Sequence, residues 1–168
     1  MFKKVDIFVF NNLVYDSRVL RTATFLSEYH KVRVICLRDS SISQDFDSYP
    51  FEVIALPLRS SGLGRGLAVN LIKYFEFVIR LIMVSRRTDI IHANDLDSLI
   101  PAAVLKVLFR KKVVYDSHEW QSDQGDFSSK KQAFIRMIER IFLPFADQRI
   151  TVSDSIATFE VSLWEEEV

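Results

Sequence analysis

Three short polar clusters hold the side chains in this sequence that are best suited to chemistry. They are Asn11-Asn12, Asn94-Asp95 with Asp97, and Ser117-His118-Glu119. The last two clusters are rich in carboxylate and imidazole, which can accept, donate and exchange protons, while amide groups can orient a polar ligand. The clusters are therefore the candidates for a binding or catalytic site.

Several other kinds of site are excluded by residues that the sequence lacks. A dinucleotide-binding turn needs G-x-G-x-x-G, but residues 11–16 after the first predicted strand contain no glycine, and no P-loop lysine motif occurs. The histidines His30, His92 and His118 are scattered, so we expect no metal site. Ser117 directly precedes His118 without an elbow glycine, which argues against a Ser-His-Asp triad. No cofactor is expected in this domain.

The composition is that of one globular domain. The 168 residues are 49% hydrophobic and 26% charged, with 22 basic and 22 acidic side chains. A net charge of zero is unlike a nucleic-acid binder, so no nucleic-acid partner is expected. Asp6 interrupts the first apolar run, so no signal peptide is expected and a cytoplasmic protein is predicted. Cys36 is the single cysteine, so no disulfide within the chain is expected. Fourteen phenylalanines suggest that some apolar surface faces a partner.

Short Val/Ile-rich runs alternate with helical patterns along the chain. The predicted strands are residues 4–10, 31–37, 51–57, 88–93, 112–116 and 149–152. Helices are predicted from about residue 16, over 67–87, 95–109 and 130–145, and again from residue 155. This alternation predicts an α/β fold, a doubly wound, mostly parallel, Rossmann-like sheet with helices on both faces. Right-handed crossovers give the strand order 3-2-1-4-5-6.

The predicted topology brings the three polar clusters together. An open parallel sheet binds ligands beyond the carboxyl ends of its strands, where the strand order reverses. The clusters follow strands one, four and five, so we expect them to meet along one rim. Asp16 is expected to cap the next helix, while Arg18 in its first turn opposes the helix dipole and should have an acidic neighbour or a bound phosphate.

Four motifs in order resemble the N-terminal domain of GT-B-fold glycosyltransferases of family 4. They are Asp16-Ser17-Arg18-Val19 with Ala23 and Leu26, Asp89 to Asp95 (DIIHAND), Val114 to Glu119 (VYDSHE), and Ala146-Asp147 with Ile150 to Ser153. The resemblance covers nearly the whole chain. It implies a retaining glycosyltransferase in which residues 1–168 form the acceptor-side domain. A C-terminal Rossmann domain, absent from these residues, would then bind the nucleotide sugar.

The resemblance also implies roles for individual residues. His118 would lie near the transferred sugar. Glu119 would orient His118 or accept a hydrogen bond from an acceptor hydroxyl, so both are candidate catalytic residues. The candidate substrate-binding residues are Asn11, Asn12, Asp16, Arg18, Asn94 and Asp95. The family's first loop is often glycine-rich, and Asn11-Asn12 departs from that pattern. Simpler roles stay open, namely Glu119 as a solvated charge and Asn94 or Asp95 as a helix cap.

The predicted helix 67–87 has a pattern of its own. Its charged residues Lys73, Glu76, Arg80 and Arg87 form one narrow stripe on an otherwise apolar helix, which is too charged to span a membrane. We expect either peripheral contact with the cytoplasmic face of a membrane, in keeping with the lipid-linked acceptors common in the family, or a helix buried between the sheet and a neighbouring helix.

Two functions remain open. The first is the acceptor-binding half of an enzyme that transfers a sugar from a nucleotide sugar to a hydroxyl acceptor, with surface polysaccharide or glycolipid synthesis as the expected role. The second is a stand-alone Rossmann-like subunit that pairs with a separate catalytic chain. In either case the isolated chain is expected to be inactive.

Overall fold

The computed structural model describes residues 2–10, 13–38, 46–117 and 129–151, and these residues form one six-stranded sheet. The strands are β1 (Lys4–Phe8), β2 (Lys31–Leu37), β3 (Glu52–Leu56), β4 (Ile90–Asn94), β5 (Lys112–Ser117) and β6 (Gln148–Thr151). Their order is β3-β2-β1-β4-β5-β6 and every neighbouring pair is parallel. The predicted topology is therefore confirmed.

Four α-helices connect the strands. They are α1 (Ser17–Ser27), α2 (Leu67–Ser85), α3 (Asp95–Phe109) and α4 (Ser129–Phe142). Short 3₁₀ helices cover Leu13–Tyr15, Arg59–Leu63 and Leu143–Phe145. The last of these ends α4 three residues before the predicted boundary, because Pro144 lacks the N–H that a continuing α-helix needs.

Hydrophobic cores lie on both faces of the sheet, as predicted. On one face Val19 and Ala23 of α1 pack with apolar side chains of β1 and β2. On the other, Phe77 and Leu81 of α2 and the apolar side of α3 pack on the strands, with α4 beside them. The apolar runs of β1 and β2 are explained by this arrangement, since a strand covered on both faces has no polar side.

α3 contains a proline, and a side chain of the neighbouring helix α2 replaces the hydrogen bond that this proline cannot make. Pro101 lies inside α3 and has no N–H to donate to the carbonyl of Asp97 one turn earlier. The hydroxyl of Tyr74 on α2 donates to that carbonyl at 3.1 Å. The contact ties α2 to the start of α3, close to the carboxyl end of β4.

Candidate functional site

The carboxyl ends of β1, β4 and β5 lie side by side at the point where the strand order reverses. β1 pairs with β2 on one side and with β4 on the other, with Phe8 opposite Ala93. Asn94 at the end of β4 lies opposite Asp116 on β5. The predicted rim therefore has its supporting strands in place, and β5 ends at Ser117, next to the predicted pair His118 and Glu119 in the sequence.

Asn94 joins β4 to β1 through its side chain. Its Nδ2 donates to the carbonyl of Phe8 at 3.0 Å, and the Ser98 hydroxyl donates to the same carbonyl at 3.2 Å. Asn94 precedes α3 at the N-cap position, but its side chain makes no capping hydrogen bond. Asn94 is therefore the N-cap by position, one of the two caps expected, but its side chain bonds across the strand ends and not to the first turn of α3.

Asp95 has an unusual backbone at the start of α3. Its φ is +62°, in the left-handed region that few residues other than glycine adopt, although Asp and Asn tolerate it better than most. Asp97 is the second carboxylate of this first turn, and partial shielding from water raises its pKa. Residues held in sparsely populated backbone conformations are frequent at functional sites, which directs attention to Asp95.

Asp16 caps α1 as predicted. Its Oδ1 accepts the backbone N–H of Val19 at 3.2 Å and its side chain is buried. Arg18 Nε lies 4.0 Å from the same oxygen, so the acidic neighbour expected for Arg18 is Asp16. The Arg18 side chain is 45% exposed, so its guanidinium can also contact an anionic group from solvent.

A groove runs beside α1 across the face of β4, β5 and β6. Its volume is about 710 Å³. The side chains that line it come from α1, the strands and the turn after α1, and include Arg18, Arg21, Phe25, His30, Val114 and Ile150. The strands contribute mainly apolar side chains to the groove, together with His92 and Asp116, and α1 contributes two arginines beside its apolar side chains.

An imidazole–carboxylate pair in this groove was missed by the sequence analysis. His92 Nε2 lies 3.3 Å from Asp116 Oδ2, and His92 is largely buried. The two residues are 24 positions apart, on neighbouring strands and on the same face of the sheet. Strand alternation could have placed both on one face, but only the register between β4 and β5 shows that they touch. Such a pair can hold a proton between its members and donate or accept a hydrogen bond.

Four of the predicted site residues fall outside the described part of the chain. They are Asn11, Asn12, His118 and Glu119. Their assignment remains a prediction. Of the described candidates, Asn94 and Asp95 lie at the end of β4, and Asp16 and Arg18 lie near each other at the start of α1. Among the described residues, no group of three or more metal-binding side chains occurs.

The sheet order defines a Rossmann-like α/β domain, and in such a domain the switch point is where a ligand site is expected. Residues 17–159 match the model of the glycosyl transferase 4-like domain. The chain belongs to this family, and the resemblance to the N-terminal domain of family 4-like GT-B glycosyltransferases is confirmed. No curated protein sequence matches the chain significantly.

Solved structures share this fold at low sequence identity. Anabaena HepE in complex with UDP and glucose superposes with a TM-score of 0.66 at 15% identity, over 96% of this chain and 41% of that one. Sucrose-phosphate synthase from Thermosynechococcus elongatus gives 0.69 at 14% identity, over 95% and 45%. The lipopolysaccharide outer core galactosyltransferase WaaB gives 0.58 at 13% identity, over 95% and 42%. The chain thus spans less than half the length of these proteins.

Proposed function

We propose that this chain forms the acceptor side of a retaining glycosyltransferase that uses a nucleotide sugar. In the reaction, the bond between the anomeric carbon and the nucleoside diphosphate breaks, and a bond from that carbon to the acceptor oxygen forms. The diphosphate leaves with the bonding electrons and takes up the proton that the acceptor hydroxyl loses. The observation that carries the proposal is the polar rim at the switch point in a chain of this family.

Two described residues have the chemistry for ligand contact at this rim. Asp95 offers a carboxylate that can accept a hydrogen bond from an acceptor hydroxyl. Its left-handed backbone conformation sets the direction of its Cα–Cβ bond. Arg18 offers an exposed guanidinium for a negative group on either substrate. His118 and Glu119 are proposed to act next to the reacting carbon, His118 by hydrogen bonding to the sugar and Glu119 by orienting the acceptor.

The donor is proposed to bind mainly to a second domain. The similar structures are more than twice as long as this chain, and HepE is described in complex with UDP and glucose. We propose that a C-terminal domain holds the nucleotide sugar and that the reaction takes place in the cleft between the halves, which excludes water and limits hydrolysis. The product would be a surface polysaccharide or glycolipid, made in the cytoplasm, where the lone thiol Cys36 would stay reduced.

The first experiment compares the 168-residue chain with the same chain joined to its second domain. UDP-glucose, UDP-galactose and GDP-mannose are offered with a lipid and oligosaccharide extract of the source cells, and release of the nucleoside diphosphate is measured. We expect release only from the joined protein, and nuclear magnetic resonance of the product should show the anomeric configuration of the donor. Transfer by the 168 residues alone, or an inverted product, would contradict the proposal.

Variants of the joined protein test the residue roles. Asp95→Asn keeps a side chain that tolerates the left-handed backbone but removes the charge, and Arg18→Gln removes the cation. Each should lower kcat/KM about tenfold or more, the effect of losing one hydrogen bond to a charged group. Lys130→Gln, on the exposed start of α4, is the matched control and should leave kcat/KM unchanged. If all three variants changed kcat/KM equally, Asp95 and Arg18 would have no specific role in the reaction.

The sequence that follows codon 168 separates this proposal from the alternative of a stand-alone subunit. An open reading frame that continues into a second α/β domain supports a two-domain enzyme. A stop codon there, together with turnover that appears only after a separate chain is added, supports the binding subunit.

A further inference from the structure

α2 exposes a long apolar stripe. Leu71, Ile72, Phe75, Ile79 and Met83, here named the α2 stripe, recur at about four-residue intervals and are each between 49% and 60% exposed. The opposite side of the helix, with Phe77, Val78 and Leu81, is buried against the sheet and α3. The expected alternative, a helix buried between the sheet and a neighbouring helix, therefore describes only the side of α2 that packs on the sheet and α3, while the α2 stripe is exposed.

The stripe continues into the 3₁₀ helix that precedes α2. A shallow groove of about 630 Å³ between the two helices is lined by Leu63, Ile79 and Met83 together with Arg59 and Arg80. Leu63 at the end of the 3₁₀ helix is 56% exposed, and Leu67 at the start of α2 is 80% exposed. The apolar surface thus extends along the full length of α2 and beyond its N-terminus.

Glu76 fixes the 3₁₀ helix to α2. Its carboxylate accepts the backbone N–H groups of Arg59 and Ser60 at 2.8 and 2.9 Å and the Ser60 hydroxyl at 2.6 Å. It also accepts a hydrogen bond from Arg80 Nε at 2.8 Å. These hydrogen bonds, first of all the one from Ser60, lower the pKa of Glu76 to about 2. The surface is therefore a fixed arrangement of the two helices.

The charge around the stripe is strongly positive although the whole chain is neutral. Residues 57–87 contain one carboxylate, that of Glu76, and six cationic side chains: Arg59, Arg65, Lys73, Arg80, Arg86 and Arg87. Glu76 pairs with Arg80. The other five cations lie around an apolar surface, four of them on exposed residues at its two ends.

This combination fits one kind of partner better than others. Apolar side chains bordered by cations are the features of helices that lie in the interface of an anionic bilayer, with the apolar side among the acyl chains and the cations at the phosphates. A helix of a protein partner would need a carboxylate opposite each cation. An anionic lipid surface instead offers phosphates to every cation without specific placement. No described helix is long and apolar enough to cross a membrane.

We propose that the α2 stripe and its flanking cations rest on an anionic lipid membrane, with α2 parallel to the surface. The experiment is co-sedimentation of the 168-residue chain with phosphatidylcholine vesicles that contain none or about 40% phosphatidylglycerol. We expect binding to the anionic vesicles only, and about a tenfold weaker binding when the salt concentration is raised to ~0.5 M. Binding to neither vesicle, or equal binding to both, would overturn the proposal.

Matched variants locate the contact. Ile72→Ser with Phe75→Ser should abolish co-sedimentation, whereas Phe134→Ser with Met137→Ser, similarly exposed on α4, should not affect it. Arg86→Gln with Arg87→Gln should weaken binding about tenfold or more, whereas Lys130→Gln with Arg136→Gln on α4 should have little effect. Equal losses from the α2 and α4 pairs would overturn the assignment to α2.

A measurement on the unchanged chain guards against variants that fail to fold. Hydrogen exchange should slow in residues 67–85 when anionic vesicles are added, with no change in α4. Analytical ultracentrifugation tests the rival occupant, since a dimer that the stripe variants dissociate would show that a second copy covers the stripe and would overturn the membrane proposal.

Discussion

Asp6 is fully buried in the middle of β1 and is paired with one residue on the neighbouring strand. Arg33 Nε and Nη2 donate to its two carboxylate oxygens at 2.8 and 2.7 Å, and Nη2 also donates to the carbonyl of Val84 at 3.3 Å. The pairing raises the pKa of Arg33. This bidentate contact joins β1, β2 and the end of α2, which explains an acidic residue inside an otherwise apolar strand.

Arg33→Met tests this pair at the residue scale. It leaves a buried carboxylate without its partner, so we expect a loss of about 3 kcal/mol in the free energy of unfolding, measured with urea. Adding Asp6→Asn should recover part of the loss, because a neutral amide is less costly to bury than a charge. Lys31→Met, on the exposed start of the same strand, is the control. A neutral effect of Arg33→Met would show that water replaces the guanidinium.

At the scale of elements, the start of α3 is held by contacts from β1 and α2. Asn94 and Ser98 bond to the carbonyl of Phe8, and Tyr74 bonds to the carbonyl that Pro101 leaves without a helical donor. Phe10, which follows β1, packs on Tyr74 and Phe77 with ring centroids 5.2 and 4.5 Å away. The candidate site therefore rests on side chains from three elements.

Tyr74→Phe tests the compensation for Pro101. The loss of the hydroxyl should lower the free energy of unfolding by about 1 kcal/mol, the usual net value of one hydrogen bond. In a Pro101→Ala background the same change should cost clearly less, because the new N–H of residue 101 can donate to the Asp97 carbonyl. The four urea curves form a double-mutant cycle. Equal costs in both backgrounds would show that the Tyr74 hydroxyl does not serve this carbonyl.

At the scale of the whole molecule, the sheet separates two cores. Cys36 is fully buried in the core beneath α1, and burial raises the pKa of its thiol to about 11. The thiolate is the reactive form, so the folded protein should contain very little of it near neutral pH. Because Cys36 is the single cysteine, its chemistry reports on the opening of this core.

Iodoacetamide labelling at about pH 8 should therefore proceed only through unfolding. We expect the folded chain to label at least a hundredfold more slowly than the chain in concentrated urea, with mass spectrometry as the readout. Arg33→Met should speed labelling by the factor that its loss of stability predicts. Labelling of the folded chain as fast as a free thiol would show that the core beneath α1 opens locally.

Much of the architecture was predictable from the sequence because its causes are local. Strand length, Val/Ile content and the alternation of strands with helices identify a parallel sheet, and the handedness of crossovers limits its order. The cap at Asp16 was predictable for the same reason, since it depends on residues only three positions apart. The match of the family model confirmed the resemblance that the ordered motifs had indicated.

The sequence by itself determined the class of sheet and the strand ends at which polar residues collect. Only the tertiary structure decided which of these side chains touch. The His92–Asp116 pair, the Asn94–Phe8 bond and the exposed side of α2 all depend on how distant segments are aligned and covered. Strand register and helix placement are set by packing over the whole chain, so these contacts cannot be derived from neighbouring residues alone.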